Sequence, residues 1–145
     1  MSIASIGARM RVGKVKMVLV VAPVSVLSGW KSEGDKYLPK FVKSARVVKV
    51  HGGTHKDRQK IIRNAWKDCS FERPYVIISS WGLVAAAKTY EAFLPPRQHC
   101  WDYVILDEAH EIRNHTSNRF KCCYKISRKA YNRLLLTGTP FQNNR

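Results

Sequence analysis

Two adjacent acids, Asp107 and Glu108, stand directly after a continuous apolar run that ends at Leu106. A strand buried on both faces cannot end on two carboxylates inside the core, because nothing there replaces their hydration. The pair must face a cleft, where the first acid suits Mg²⁺ held through its water shell and the second can polarise a water for attack on a phosphate. The alternative is a solvated strand end followed by a helix cap, and Ala109-His110 directly behind the acids weigh against it.

A second apolar run, Leu134–Leu136, ends in the small and hydroxyl-bearing residues Thr137-Gly138-Thr139-Pro140. Such residues let one backbone approach another closely, and their hydroxyls can hydrogen-bond to an acid cluster. An ordinary strand-to-turn junction explains Gly138 and Pro140 equally well, because both residue types are common in turns.

Two more apolar runs end in residues suited to a phosphate backbone. Pro23 ends one run, and a helix starting around Ser25 would offer unpaired N–H groups to a phosphate. Ser79 and Ser80 end the other run and offer hydroxyls to a nucleic-acid backbone or sugar. A capped helix with Trp30 packed beneath it explains the first of these segments as well.

The elements that position these motifs alternate between short apolar runs and amphipathic stretches. The runs are rich in Val, Ile and Leu with little alternation, which is typical of strands covered on both faces in a parallel sheet. The pattern predicts strands over Val15–Ala22, Arg46–Val50, Tyr75–Ser80, Asp102–Asp107 and Arg133–Thr137. It predicts helices over Val24–Tyr37, capped by Ser25, over Lys56–Lys67, over Gly82–Phe93, and over Thr116–Lys129, capped by Asn114.

This alternation predicts an α/β domain in which a parallel sheet carries helices on both faces. Functional residues of such sheets gather at the carboxyl ends of the strands. Every motif described above lies at a predicted strand end, so the motifs are expected to meet at one edge of the sheet.

The charge of the chain points to a polyanionic partner. Its 145 residues, which suit one domain, include 26 Lys and Arg against 10 Asp and Glu, for a net charge of +16. Nucleic acid is the first expectation and an anionic membrane surface the second, while a merely basic soluble surface is the alternative. The stretch Arg113–Arg133 contains no acid and is either a nucleic-acid face or a solvated helix face.

Cysteine spacing and hydropathy indicate an intracellular, reducing environment. The cysteines Cys69, Cys100, Cys122 and Cys123 form no Cys-x-x-Cys pair that would suit zinc, so free thiols are expected. No apolar run approaches the roughly 18 residues of a membrane helix, and the amino-terminal segment lacks the pattern of a signal peptide.

Taken in order, the motifs resemble the first motor lobe of Swi/Snf-type DNA translocases in helicase superfamily two. The resemblance implies a RecA-like fold of the P-loop NTPase class, and the branch it favours is the excision-repair, Cockayne-syndrome-B-like group. It covers about Val18 to Asn144 and rests on Ala22-Pro23-x-Ser25-x-Leu27-x-x-Trp30, His51-Gly52, Ile77-Ile78-Ser79-Ser80-Trp81, the run from Trp101 to Asn114, and Leu134-Leu135-Leu136-Thr137-Gly138-Thr139-Pro140-x-Gln142-Asn143-Asn144.

The resemblance assigns roles to the matching positions and implies ATP and Mg²⁺ as the cofactors of the intact parent protein. Asp107 would coordinate Mg²⁺, Glu108 would position the lytic water, and His110 would relay between the nucleotide site and the second lobe. The segment Thr137-Gly138-Thr139 would border the nucleotide, and its two threonines would couple hydrolysis to nucleic-acid contact. Four residues would lie along the DNA backbone: Pro23, Ser25, Ser79 and Ser80.

The sequence also departs from the family pattern. The family carries a Gly-Lys-Thr phosphate loop upstream of the strand that ends at Pro23, whereas here only Gly7 to Val15 precedes it, with a wrong glycine spacing and no hydroxyl residue. This segment is interpreted as a chance match. The expected organisation is therefore a non-family leader over 1–14 and a partial ATP-binding lobe over 15–145, without the phosphate-loop strand and without the second lobe.

Two functions remain open at this point. The first is part of an ATP-dependent DNA translocase, a nuclear motor that acts on duplex DNA or chromatin in remodelling or repair. The second is a catalytically dead nucleic-acid or protein binding module derived from such a lobe. The acid motif favours the first, and the missing phosphate loop favours the second for the 145-residue chain alone, for which weak nucleotide binding is expected.

Overall fold

Five parallel strands form one sheet in the computed structural model, which describes residues 3–86 and 89–137. The strand order across the sheet is β2-β3-β1-β4-β5, and every neighbouring pair is parallel. The strands are β1 (Met17–Ala22), β2 (Arg46–Val50), β3 (Tyr75–Ser80), β4 (Trp101–Asp107) and β5 (Ala130–Leu136). The predicted α/β class is confirmed, with the predicted bounds of β2 and β3 matched at both ends.

Both faces of the sheet are covered, so two apolar cores form. All six residues of the central strand β1 are buried, and alternate residues point to opposite faces. Leu19 and Val21 join one core, whereas Val18 and Val20 join the other. This double coverage explains the continuous apolar runs, because neither face of an inner strand meets water.

The helices that cover the sheet are α1 (Ile3–Arg11), α2 (Leu27–Tyr37), α3 (His55–Asp68), α4 (Trp81–Val84) and α5 (Asn118–Ser127). Short 3₁₀ turns lie over Val24–Val26, Leu38–Lys40, Tyr90–Phe93 and Ala109–Ile112. Helix α3 begins with a capping box: the Thr54 hydroxyl accepts from Asp57 N, and the Asp57 carboxylate accepts from Thr54 N.

The two predicted helix caps are wrong. Helix α2 begins two residues after Ser25, and neither it nor the 3₁₀ turn before it has a side-chain cap. Helix α5 is capped by Ser117, whose hydroxyl accepts from Phe120 N at 3.1 Å. Asn114 instead closes a local turn, in which its side-chain oxygen accepts from Thr116 N and Oγ1. Cap residues also stabilise turns, so their type alone does not fix where a helix starts.

The alanine-rich helix predicted over Gly82–Phe93 is not continuous in the structure. Helix α4 ends at Val84, and a separate 3₁₀ turn covers Tyr90–Phe93. Around the break, the Ala85 carbonyl accepts from the Asn118 side chain, while Thr89 N turns to Ala86 O. A tertiary contact from α5 has therefore replaced the helical bond that alanine propensity alone would favour.

Helix α1 lies in the segment for which no helix was predicted. Ile3, Ile6 and Met10 are buried against the sheet. Gly7 lies within the same helix and faces Phe41 so closely that an added Cβ would collide with that ring. The segment that matched a phosphate loop by chance is therefore a packed helix followed by a turn through Gly13, not a glycine-rich loop after a strand.

Candidate nucleotide and nucleic-acid site

The predicted motifs meet at the carboxyl end of the sheet. Asp107 is the last residue of β4 and pairs in register with Leu136, the last residue of β5. Thr137 follows directly, so the expectation that Asp107 and Thr137 lie at neighbouring strand ends is confirmed. Thr137 is exposed. Gly138 and Thr139 lie outside the described residues, and their predicted role stays a prediction.

Asp107 is held by three hydrogen bonds, each 3.0 Å long. Its Oδ2 accepts from the indole Nε1 of Trp30, and its Oδ1 accepts from the backbone N of Glu108. Its main-chain oxygen accepts from the indole Nε1 of Trp81. Trp30 follows β1, which pairs with β4, and Trp81 follows β3, which lies on the far side of β1. The carboxylate therefore has a defined orientation before any ligand arrives.

Glu108 occupies a strained backbone conformation. Its φ of 58° and ψ of 54° lie in the left-handed region, which costs a non-glycine residue about 1–3 kcal/mol. In this conformation the Glu108 side chain reaches His110, two residues further along the chain. Glu108 Oε2 lies 3.2 Å from His110 Nδ1, and both side chains are partly exposed. The acid and the imidazole thus form a pair at the edge of the cleft.

The acids fit a bound Mg²⁺ that has few protein ligands. No group of three or more His, Cys, Asp or Glu side chains that could hold a metal occurs in the described part of the chain. Mg²⁺ in nucleotide sites usually takes one or two carboxylates and completes its shell with waters and phosphate oxygens. Asp107 supplies one such carboxylate. The Gly7–Val15 segment offers no phosphate cradle, because its first glycine is helical and packed.

The four candidate nucleic-acid residues differ in exposure, since two are accessible to solvent and two are buried. Pro23 is half-buried and Ser25 is exposed in the 3₁₀ turn after β1, between Val24 and Val26, which are 59% and 37% exposed. Ser79 and Ser80 are buried, and their predicted contact with a nucleic-acid backbone stays a prediction.

The hydroxyls of these two serines are already engaged inside the protein. Ser79 Oγ donates to Val50 O at 2.9 Å and joins β3 to β2. Ser80 Oγ accepts from Leu83 N at 3.3 Å and caps α4. A hydroxyl at the end of an inner strand is satisfied by its neighbours, which the sequence could not show.

The basic stretch Arg113–Arg133 does not form one continuous face. Arg119 pairs with Glu111 near the carboxyl end of the sheet. Lys125, Arg128 and Lys129 lie around the end of α5, just before β5 starts, and therefore at the opposite end of the sheet from Asp107. Lys125 Nζ lies 5.5 Å from the centroid of the Tyr90 ring, so part of this charge stacks on the protein itself.

None of the four cysteines is in a disulfide, and Cys122 and Cys123 are buried residues of α5. Burial raises the pKa of the Cys123 thiol to about 12. Within the described ranges, 3–86 and 89–137, no helix has the length and apolarity needed to cross a membrane.

Comparison with known proteins agrees with this arrangement. The chain matches the model of the SNF2-related domain over residues 1–145. It is 40% identical over 134 residues to the chromatin-remodeling ATPase INO80 of Neurospora crassa and 36% identical over 130 residues to the helicase swr1 of Emericella nidulans. Each match covers 87% of this chain and 6% of the relative.

A solved structure is similar as well. The Sulfolobus solfataricus SWI2/SNF2 ATPase core in complex with dsDNA superposes with a TM-score of 0.57 at 27% identity, over 90% of this chain and 22% of that one. The chain thus spans only a small part of the relatives that it matches. These relatives are INO80 and swr1 proteins, so the narrower prediction of a Cockayne-syndrome-B-like branch is not supported by them. The chain belongs to the SNF2-related domain family.

Proposed function

We propose that this chain is part of the first ATPase lobe of an ATP-dependent DNA translocase of the chromatin-remodelling type. The observation that carries the proposal is the pre-oriented Asp107 at the carboxyl end of β4, beside the strained Glu108 and at the same edge as the end of β5. Similarity to INO80 and swr1 favours remodelling of chromatin in the nucleus over the excision-repair branch.

Within this site, each residue has a proposed task. Asp107 holds Mg²⁺, which when bound neutralises phosphate charge. Glu108 orients the attacking water. Its contact with His110 couples the position of the Glu108 side chain to the second lobe of the parent protein. Thr137, with Gly138 and Thr139 after it, borders the nucleotide and couples hydrolysis to nucleic-acid contact.

The proposed DNA contact is centred on the turn after β1. Pro23 and Ser25 face the phosphate backbone there, because they are the accessible members of the predicted set. Ser79 and Ser80 support the same surface from beneath, through their bonds to β2 and α4. Contacts of this kind position a protein on duplex DNA without reading its sequence.

The second candidate function, a binding module without catalysis, is favoured for the 145-residue chain by one observation. The only segment that resembled a phosphate loop is the packed helix α1. A phosphate loop supplies backbone N–H groups and a lysine to the triphosphate, and Asp107 alone cannot replace them. We expect no DNA-stimulated ATP hydrolysis by this chain. Hydrolysis that Glu108→Gln abolishes would contradict that expectation.

Duplex binding provides the test of the proposed DNA surface. Two changes each lower the formal net charge by one: Ser25→Asp in the turn after β1, and Lys129→Gln at the opposite end of the sheet. We expect Ser25→Asp to weaken binding about tenfold, since an acid there opposes a phosphate, and Lys129→Gln to weaken it much less. Affinity is measured by fluorescence anisotropy with duplexes of two unrelated sequences over a range of salt concentrations. Equal losses for both variants would show a merely basic surface and overturn the proposal.

A further inference from the structure

Each of the two predicted nucleic-acid segments, the turn after β1 and the Ser79-Ser80 pair, is followed by a tryptophan that donates a hydrogen bond to Asp107. The turn after β1 leads into α2, where the Trp30 indole donates to the Asp107 carboxylate at 3.0 Å. Ser79 and Ser80 lead into α4, where the Trp81 indole donates to the Asp107 main-chain oxygen at 3.0 Å. The segments that follow β1 and β3, two strands on the same side of β4, are thus both hydrogen-bonded to Asp107.

The two indoles do different things to Asp107. Trp81 is buried, belongs to the core and binds a main-chain oxygen, so it fixes the end of β4. Trp30 is only partly buried and binds the carboxylate, so it fixes the direction of the acid itself. Its ring also lines a surface cavity of about 200 Å³ with Val26, Gly29 and Glu33. Trp30 therefore connects a solvent-accessible surface to the functional oxygen of the site.

We propose that Trp30 is a positioning residue that transmits contact at the turn after β1 to the carboxylate of Asp107. The inference rests on the proposed function, in which that turn meets duplex DNA. A ligand that moves the start of α2 moves the Trp30 indole, and the indole turns the carboxylate it is bonded to. A hydrogen bond to an ionised acceptor is strong enough to carry such a change, because losing it leaves the indole N–H unpaired.

The Glu108 backbone amide reports the direction of the carboxylate independently of Trp30. It donates to Oδ1, the other oxygen of Asp107, at 3.0 Å. Rotation of the carboxylate therefore changes this amide even when nothing touches Glu108. A variant that removes the Trp30 indole should leave the reporter in place and disconnect it from the turn after β1.

The first measurement tests the bond itself in the ¹⁵N-labelled 145-residue chain. The four tryptophan indoles give four N–H resonances, each assigned by its Trp→Phe variant. In Asp107→Asn the Trp30 resonance should shift by more than its linewidth. The Trp101 resonance should not move, because its indole donates to Phe93 O. An unchanged Trp30 resonance would overturn the proposal.

The second measurement tests the transmission. A short DNA duplex is titrated into the wild type, Trp30→Phe and the matched control Trp66→Phe. The Trp66 indole N–H has no hydrogen-bond partner among the described residues, so the control removes an indole without breaking such a bond. The duplex should shift the Glu108 amide in the wild type and in Trp66→Phe, and this response should be lost in Trp30→Phe while the duplex still binds.

The outcomes separate the inference from the proposed function. Binding of the duplex with an undiminished Glu108 response in Trp30→Phe would overturn the role of Trp30 and leave the DNA surface intact. Failure of the wild type to bind the duplex would overturn the proposed function, and the transmission with it. If Trp30→Phe does not fold, as its amide spectrum would show, the wild-type titration decides alone, with the Trp30 indole assigned by elimination from the other three Trp→Phe variants. The Trp30 indole and the Glu108 amide should then shift together, and a shift of the Glu108 amide with an unmoved Trp30 indole overturns the inference.

Discussion

The two aspartates of strand β4 lie at opposite ends of the same strand and do different work. Asp102, near the start, accepts hydrogen bonds from the backbone N of Lys16 and of Met17 through one oxygen, at 2.8 and 3.0 Å. Asp107, at the end, is bonded to the indoles of Trp30 and Trp81 and to the next amide. The first acid completes the backbone of its neighbouring strand, whereas the second is held by side chains at an open edge.

This difference predicts a structural role for Asp102 and a functional role for Asp107. The N–H groups of Lys16 and Met17 come before Val18, the first residue of β1 that pairs with β4, and Asp102 satisfies them there. No backbone group of another strand depends on the Asp107 carboxylate in the described residues. Its removal should therefore affect ligands more than folding, and the reverse should hold for Asp102.

The largest expected effect is on stability, from Asp102→Ala. The change leaves two partly buried N–H groups without their charged acceptor, and each such bond contributes about 1.5–3 kcal/mol, so we expect a loss of about 3 kcal/mol. For a chain of this size that lowers Tm by roughly 6–12 °C. Thermal unfolding followed by circular dichroism measures it. Asp102→Asn, which keeps an oxygen in the same place, should lose clearly less, and equal losses would contradict the explanation.

The second effect concerns cation binding, from Asp107→Asn. An amide keeps an acceptor for the Trp30 indole, so unfolding stability should change by less than about 1 kcal/mol. Mn²⁺ substitutes for Mg²⁺ and broadens nearby amide resonances when it binds. In the wild type we expect broadening centred on residues 106–109, and we expect its loss in Asp107→Asn.

Asp102→Asn is the matched control for that measurement, because it removes one acidic charge from the same strand. It should leave the broadening at residues 106–109 in place. Broadening that persists in Asp107→Asn, or that disappears equally in both variants, would contradict the prediction that Asp107 binds the cation and Asp102 does not.

A smaller effect should follow from relieving the strain beside Asp107. The left-handed conformation costs a non-glycine residue about 1–3 kcal/mol, and glycine adopts it without that cost. The added freedom of glycine in the unfolded chain offsets about 0.5–1 kcal/mol of the stabilisation gained by Glu108→Gly. A net stabilisation of about 1 kcal/mol is expected, measured by urea unfolding. Ala109→Gly, at the start of the right-handed turn that follows, should instead destabilise. A destabilised Glu108→Gly would show that the strain is not relieved there.

The sequence predicted the sheet better than it predicted the contacts of the site. Strands β2 and β3 lie where predicted, since Gly52-Gly53 follows soon after β2 and Pro74 directly precedes β3. Strand β5 begins three residues before its predicted start at Arg133, since Tyr131 and Asn132 are polar or exposed and hide the pattern. Helix α1 was missed although Ile3, Ile6 and Met10 show a helical spacing.

The links to Asp107 could not be predicted, because they join residues far apart in the chain. Trp30 is 77 positions and Trp81 is 26 positions from the acid that they hold. The available signal was their placement, since Trp30 follows the end of β1, which pairs with β4, and Trp81 follows the end of β3, the next strand beyond β1. That signal needs the strand order, which places β1 and β3 on the same side of β4. Predicting that Ser79 and Ser80 are buried also requires the strand order.

The smallest expected effect concerns a third aspartate, Asp68 at the end of α3, which is exposed and paired by side chains alone. Its carboxylate accepts from the Tyr75 hydroxyl and from Arg73, and these bonds lower its pKa below the ordinary value. A pKa lowered by folding stabilises the protein above the unfolded pKa, and this contribution is lost as pH falls through the folded pKa. Asp68→Asn should therefore reduce stability slightly at pH 7, and by less as the pH falls through the folded pKa.

Thermal unfolding of wild type and Asp68→Asn between pH 7 and pH 2 measures this difference. The two Tm curves should converge as the carboxyl of Asp68 becomes protonated in both folded and unfolded states. Asp102→Asn is measured alongside. At neutral pH it should lose more stability than Asp68→Asn does, because Asp102 accepts from two backbone N–H groups, whereas the hydrogen bonds of Asp68 come from the side chains of Arg73 and Tyr75. A larger loss for Asp68→Asn would mean that side-chain pairs at the surface hold this fold more firmly than the acid at the start of β4.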